Sequence, residues 1–219
     1  MDAAHYGEAF MIRIAFEKVT KSFAGHEVLR DVSAVCHGGS ITVAAGLNGS
    51  GKSTLLKLAG HLLLPDSGRI TVKTDAIELK GEALRMRLSM MTPELRLYPR
   101  LSAKENLSFF LGLRGVSMTE LQYGELLERV GLSAESVRDT AAEAFSTGMR
   151  QRLHFALMLA AEADIWLLDE PGANLDEAGR ELMRREIRQA AEAGKLVLLA
   201  TNDGRERSMA DETIDLSRH

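Results

Sequence analysis

A single cysteine, Cys36, in 219 residues has no partner for an internal disulfide. The chain is therefore expected in a reducing cytoplasm, with Cys36 a structural thiol that has no activating base in its neighbourhood. No stretch approaches the ~20 apolar residues that a membrane-spanning helix needs. The most apolar run, Leu62-Leu63-Leu64, stops at Pro65, so any role at a membrane is expected to come through a partner. The N-terminus carries acids but no basic stretch followed by an apolar run, which argues against a secretory signal. Residues 1–10 read as a flexible lead-in, because strand-like patterning begins at Met11. Positive charge is not in excess either: the net charge is -4, which argues against a protein held to nucleic acid by bulk electrostatics. Arg184, Arg185 and Arg188 are expected on a solvated helix face. No internal repeat, low-complexity tract or heptad run appears.

The sequence does contain 45% hydrophobic and 26% charged residues, an ordinary globular balance in a chain long enough for one large domain, or a domain with a lobe. Its organising stretch is Gly46-Leu47-Asn48-Gly49-Ser50-Gly51-Lys52-Ser53-Thr54, which fits the phosphate-binding pattern G-x-x-x-x-G-K-[ST]. Ser40 to Ala45 reads as a buried strand before it, and Leu55 to Gly60 as the opening of a helix after it. Glycines let the backbone wrap a polyphosphate while amides at the helix start point at it. Asn48, Gly49, Ser50, Gly51 and Thr54 are thus candidate contacts to a nucleoside triphosphate. Lys52 can neutralise the β- and γ-phosphates, and the Ser53 hydroxyl can complete a Mg²⁺ shell.

Along the chain, Ile12 to Glu17 alternates with period two, Val19 to Phe23 follows, and a turn at Ala24-Gly25-His26 precedes a further alternating stretch, Asp31 to Val35. These predict three short strands forming an antiparallel patch. Strands are expected over Arg69 to Val72 and Arg87 to Met91. From about Ser102 to Ala161 the pattern becomes helical, with Thr119-Glu120-Leu121-Gln122 a capping box for a helix through Val130. Asp164 to Leu168 is a continuous apolar strand, and a helix from about Asp176 to Ala193 places Met183, Ile187, Ala190 and Ala191 at core spacing. Lys195 to Ala200 is the last strongly buried strand. Strands alternating with helices imply an α/β fold with a largely parallel sheet covered on both faces.

Asp169 ends an apolar strand, at the sheet edge where ligands bind in open α/β folds. Its carboxylate can hold Mg²⁺ opposite Ser53, and Glu170 can orient or deprotonate a water for in-line attack on the γ-phosphate. Further on, Phe145-Ser146-Thr147-Gly148-Met149-Arg150-Gln151-Arg152 places Ser146 as a plausible N-cap ahead of Leu153, Ala156, Leu157 and Ala160. A helix N-terminus of this kind offers amides and a positive dipole end to an anion.

Taken together, these stretches resemble the nucleotide-binding subunit of an ATP-binding cassette (ABC) transporter, from about Ile12 to the end. The octapeptide at Phe145 is similar to the family's Leu-Ser-Gly-Gly-Gln signature: Ser146 and Gly148 match, while Phe145, Thr147 and Met149 depart in an exporter-like way. The resemblance implies a P-loop NTPase (RecA-like) core over residues 11–219, with an N-terminal antiparallel β patch and an inserted helical subdomain at about 95–162. It also implies two ATPs between head-to-tail subunits, each γ-phosphate meeting the partner's Ser146, Gly148 and Met149. Phe23 falls where the family stacks an aromatic on adenine. Glu94 falls where it has a glutamine that senses Mg²⁺ and water. Leu97-Tyr98-Pro99-Arg100-Leu101 resembles the surface receiving a transporter's coupling helix, and Asp176 matches a loop residue that joins the two subunits. The most informative departure is Asn202. The family has Thr-His after the last strand and this chain has Thr201-Asn202-Asp203. An amide can donate a hydrogen bond but cannot carry charge or shuttle protons. His26, His61 and His154 sit in structural contexts and do not replace the missing histidine.

The resemblance thus implies an ATPase with ATP and Mg²⁺ as cofactors, with catalysis resting on Glu170, Lys52 and Asn202 and metal binding on Ser53, Glu94 and Asp169. It would sit on the cytoplasmic face of the membrane through an integral membrane subunit, paired with itself or another cassette. Slow hydrolysis is expected from Asn202. The competing readings are a soluble ABC-type ATPase acting on nucleic acid or the ribosome, and a regulatory module that binds nucleotide without fast turnover.

Overall fold

A computed structural model describes residues 12–75 and 77–217; the expected lead-in at residues 1–10 lies outside them. Where three short N-terminal strands were expected there are two long ones, β1 (Arg13–Phe23) and β2 (His26–His37). The apparent breaks are bulges. Between Phe16↔Ala34 and Val19↔Val32, β1 holds an extra residue, and between Val19↔Val32 and Lys21↔Leu29, β2 does. Lys18 and Asp31 turn left-handed there, at φ 49° and 46°. A hydroxyl of the opposite strand takes each displaced amide: Lys18 donates to Ser33 Oγ and Asp31 to Thr20 Oγ1. An extra residue shifts the period-two pattern, which is why one bulged strand looks like two short ones. A third antiparallel strand, β4 (Ser67–Lys73), pairs with β1 on its other side.

The second sheet is parallel, in the order β5-β6-β7-β3-β8: Leu88–Met91, Ile165–Asp169, Leu196–Ala200, Ile41–Ala45 and Glu212–Asp215. Its three central strands are buried along their whole length. Alternate residues serve two cores. Ile41, Val43, Trp166, Leu168, Val197 and Leu199 face one, and Ala44, Ile165, Leu167, Leu196, Leu198 and Ala200 face the other. A strand covered on both sides has no polar face to show, hence the continuous apolar runs.

One core is closed by α1 (Lys52–Ala59) and the antiparallel sheet, through Leu55, Leu56, Ile14, Phe16 and Leu29. The other is closed by α3 (Ala103–Gly112), α4 (Glu120–Arg129), α6 (Thr147–Ala160) and α7 (Glu177–Glu192). Two short helices, α2 (Gly81–Arg87) and α5 (Ala134–Val137), complete this part of the chain. The capping box expected at Thr119 and Gln122 is formed, and Ser102 with Glu105 forms a second. Arg184 departs from the solvated face expected of it: its side chain is 11% exposed, between Glu177 and Glu181. Cys36 is buried, and burial pushes its thiol up to about 12. Among the described residues no helix is long and apolar enough to cross a membrane.

Candidate functional site

Strand β3 ends at Ala45, and the chain loops back over its carboxyl end before α1 begins at Lys52. The N-cap of α1 is Gly51, left-handed at φ 93°, with no side chain capping the helix amides. A Cβ on Gly51 would lie 2.7 Å from Leu29 and 2.9 Å from the Val28 carbonyl, so only glycine lets the loop lie this close to β2. Ser50 Oγ is buried with no hydrogen-bond partner among the described residues, and it faces Gly46, where a Cβ would sit 2.2 Å from it.

Lys52, 7% exposed, folds back over the loop. Its ammonium donates to the carbonyls of Gly46 and Leu47, each at 3.0 Å, and to Asn202 Oδ1 at 3.1 Å. The Asn202 carboxamide donates in turn to Asn48 Oδ1 at 2.7 Å and to Glu170 Oε1 at 2.6 Å. One amide therefore joins the lysine loop to the acidic end of β6. That junction exists because β6 and β7 pair through Asp169↔Ala200, so the residues just beyond each strand emerge side by side. Glu170 has a left-handed backbone at φ 48°, a conformation a non-glycine residue keeps only when its surroundings hold it. Its amide donates to the Ala200 carbonyl at 2.8 Å.

Asp169 is 5% exposed and hydrogen-bonded to the Ser53 side chain. Burial pushes its carboxyl up, while Ser53, Lys57 and Lys52 oppose the shift and Glu94 adds to it. Among the described residues no cluster of three or more His, Cys, Asp or Glu could form a metal cage. The hydroxyl–carboxylate pair of Ser53 and Asp169 is instead the sparse hard-oxygen set that suits Mg²⁺, an ion that keeps waters and takes phosphate oxygens. Glu94 is turned toward Lys57, with which it pairs at 2.6 Å. A cavity of about 340 Å³ collects Val28, Asn48, Gly49, Gly51, Lys52, Ser53, Thr54, Asp169, Glu170 and Asn202. Sequence reasoning named all of these but Val28, whose strand gave no sign of lying against the loop.

The remaining expected residues lie elsewhere. Ser146 caps α6, its Oγ accepting the Met149 amide at 3.1 Å. A Cβ on Gly148 would lie 3.0 Å from the Asn174 carbonyl, so the start of α6 sits closely on the loop after β6. Asp176 caps α7 through the Gly179 amide at 2.9 Å and takes Arg152 Nη2 at 2.7 Å. Phe23 is 44% exposed at the end of β1, with Lys21 Nζ 5.5 Å from its ring centroid. Neither Phe23, Ser146, Gly148, Met149, Asp176 nor Glu94 lines the 340 Å³ cavity.

A second cavity, of about 480 Å³, runs from Pro93, Leu97 and Pro99 past Thr147, Arg150 and His154 to Asn174, and Glu170 lines this one too. Two residues of α6 to which the sequence assigned no role, Gln151 at this cavity and Arg152 beside it, tie the helix to its neighbours. Gln151 Nε2 donates to the Pro171 carbonyl at 2.7 Å, and Arg152 Nη1 to the Val130 carbonyl at 2.8 Å.

The family model described as "ABC transporter" matches residues 29–173. The arginine transport ATP-binding protein ArtM of Bacillus subtilis is 31% identical over 92% of this chain and 86% of its own length. The daunorubicin resistance ATP-binding protein DrrA3 of Streptomyces coeruleorubidus is 35% identical over 74% of this chain, which spans about half (52%) of that relative. Among solved structures, the ATP-binding cassette MJ0796, as a dimer in a post-hydrolysis state bound to ADP and Pi, is 25% identical with a TM-score of 0.79, covering 93% of this chain and 94% of that one.

Proposed function

The chain belongs to the ABC transporter family of ATP-binding proteins, and from that premise we propose that it is the ATP-hydrolysing subunit powering a separately encoded membrane protein. The observation that carries the reading is the Asn202 carboxamide, which touches Lys52 and Glu170 together across one cavity. A triphosphate entering there would draw the Lys52 ammonium off its present acceptors and meet the unsatisfied amides at the start of α1. Ser53 and Asp169 would hold Mg²⁺, which supplies positive charge to the β- and γ-phosphate oxygens. Glu170 would take the proton of the attacking water as the γ-phosphorus–oxygen bond breaks, giving ADP and phosphate. Asn202 would donate to the transferring phosphoryl group, and hydrolysis would be slow because an amide cannot move a proton.

Phe23, left exposed at the end of β1 in the antiparallel sheet on which the lysine loop packs, would stack on adenine. The α6 start, with Ser146, Gly148 and Met149, would close on nucleotide held by a second cassette, and Asp176 would lie near that junction. The dimeric state of the MJ0796 cassette supports the pairing. On the side of the second cavity, Leu97 to Leu101 would receive the membrane subunit, with Glu94 between that surface and the metal. The chain would then lie on the cytoplasmic face of the membrane through its partner.

The test is copurification from the native membrane together with an ATPase assay. An integral membrane protein that leaves with the chain, and ATP turnover by the complex, are the expected results. A chain found with ribosomes or nucleic acid instead, or one that binds no ATP, would overturn the reading.

A further inference from the structure

The backbone pairing that brings Glu170 beside Asn202 ends just before either residue's side chain is fixed. The last ladder pair is Asp169↔Ala200, followed only by the Glu170 amide on the Ala200 carbonyl. Beyond it the turn after β6 and the loop after β7 need another tie, and a buried carboxyl group supplies one.

Glu206 lies on α8, a single turn at Gly204–Arg207 capped by Asp203. It is 3% exposed. Its carboxylate accepts the Thr201 hydroxyl and the Gly172 amide. Thr201 is 1% exposed, and its oxygen also accepts the Asp203 amide at 3.0 Å. The fit around Gly172 is close: a Cβ there would lie 2.1 Å from Glu206 Oε1. Arg180 Nε donates to the carbonyl of the same glycine at 3.4 Å. A carboxylate buried against two neutral donors, with Asp203 and Glu170 also acting on it, is costly. Burial pushes its acid strength down, Thr201 and Gly172 oppose this, and Asp203 and Glu170 reinforce it. A side chain kept in such a place holds something in register.

We propose that Glu206 is a positioning residue for hydrolysis: it clasps Gly172 to Thr201 and so fixes the approach of Glu170 to Asn202. The proposal rests on the reading of those two residues given above. Gly172 follows Glu170 by two positions and Thr201 precedes Asn202 by one, so the clasp acts on the backbone next to each reacting group. Glu170 keeps its left-handed φ only while that turn is held.

Glu206→Gln preserves volume but leaves one acceptor oxygen where the carboxylate has two. ATP affinity should change by less than about twofold, because the lysine loop is untouched, while kcat falls roughly tenfold or more, the cost of misplacing a reacting group by a fraction of an ångström. Hydrogen exchange at the Gly172 amide should speed up in the same variant. Thr201→Val should lower kcat as well, and the double variant should be no worse than the poorer single one. An unchanged kcat, or loss of ATP affinity and thermal stability in parallel with kcat, would overturn the proposal. So would unchanged exchange at Gly172, a readout that needs no ATPase activity. If the unaltered chain hydrolyses no ATP, the functional reading fails, and exchange at Gly172 still decides the clasp.

Discussion

The side-chain amide of Asn202 donates to Glu170 Oε1 at 2.6 Å, while the backbone amide of Asn202 faces Oε2 of the same carboxylate at 3.4 Å. Asn202 thus holds the carboxylate proposed to activate water, and with Oδ1 on Lys52 it also holds the cation proposed to receive phosphate. An amide can keep that geometry but takes up no proton. An imidazole at the same place can donate to a phosphoryl oxygen and also carry charge near neutral pH. Asn202→His is therefore expected to raise steady-state ATP turnover several-fold, about 1 kcal/mol in the barrier, with little change in ATP affinity. An ATPase assay beside equilibrium nucleotide binding would read both. Equal turnover in the two proteins would remove Asn202 from the catalytic account.

Glu170→Gln separates binding from chemistry. The glutamine keeps an oxygen for the Asn202 amide, so the cavity should survive, but it cannot accept the proton of water. Turnover should fall by about 100-fold or more while ATP is still bound. If a second cassette closes over the nucleotide, this variant should accumulate as an ATP-trapped dimer in light scattering. A monomer at saturating ATP would count against closure.

Much of this arrangement could be read from residue order, since β3, the lysine loop, β6 and β7 each carry their own local pattern. What could not be read depends on contacts between distant segments. The four-residue β8 at the sheet edge is buried only at Ile214, too little to imprint a period. The bulges at Lys18 and Asp31 broke the alternation that would have marked two long strands. Val28, Gln151, Arg152 and Glu206 matter through partners in other segments of the chain, as Gln151 shows by reaching the Pro171 carbonyl, 20 residues on. Asn202 stands out by its neighbours in sequence. Its grip on Asn48 and Lys52, 154 and 150 residues distant, is visible only in the fold.

Ser146 tests the pairing of two chains independently of the chemistry. Its hydroxyl is committed to the Met149 amide, so replacing it with alanine should cost about 1 kcal/mol of stability through the lost cap. Ser146→Arg adds bulk at a helix start that lines neither the lysine loop nor its cavity. ATP binding by the single chain should persist, and ATP-dependent dimerisation and turnover should be lost together. Size-exclusion chromatography with ATP, run on Ser146→Arg in the Glu170→Gln background, would show it. A dimer that still forms would place the contact elsewhere.

His154 gives a prediction in pH rather than turnover. It sits on α6 with Nε2 buried and without a hydrogen-bond partner among the described residues, and burial, with Arg150 acting in the same direction, holds its pKa down at about 4 instead of 6.5. The folded chain keeps this imidazole neutral, whereas the unfolded chain protonates it at pH 6.5 and below. Its contribution is fully present above pH 6.5 and is lost as pH falls toward 4, by at most about 3 kcal/mol. Asp169 and Glu206, whose carboxyls burial pushes up, add the opposite slope, so the test is a comparison between two proteins. His154→Leu should lose less stability than the unaltered chain between pH 7 and pH 5, measured as the shift in urea midpoint. Asp66 and Asp176, held below the usual carboxylate range by hydrogen bonds, lose their share only at lower pH, and His61, whose imidazole burial also holds down, acts alike in both proteins and cancels. Parallel pH profiles would mean that the imidazole finds a partner in solution and titrates as it does in the open chain.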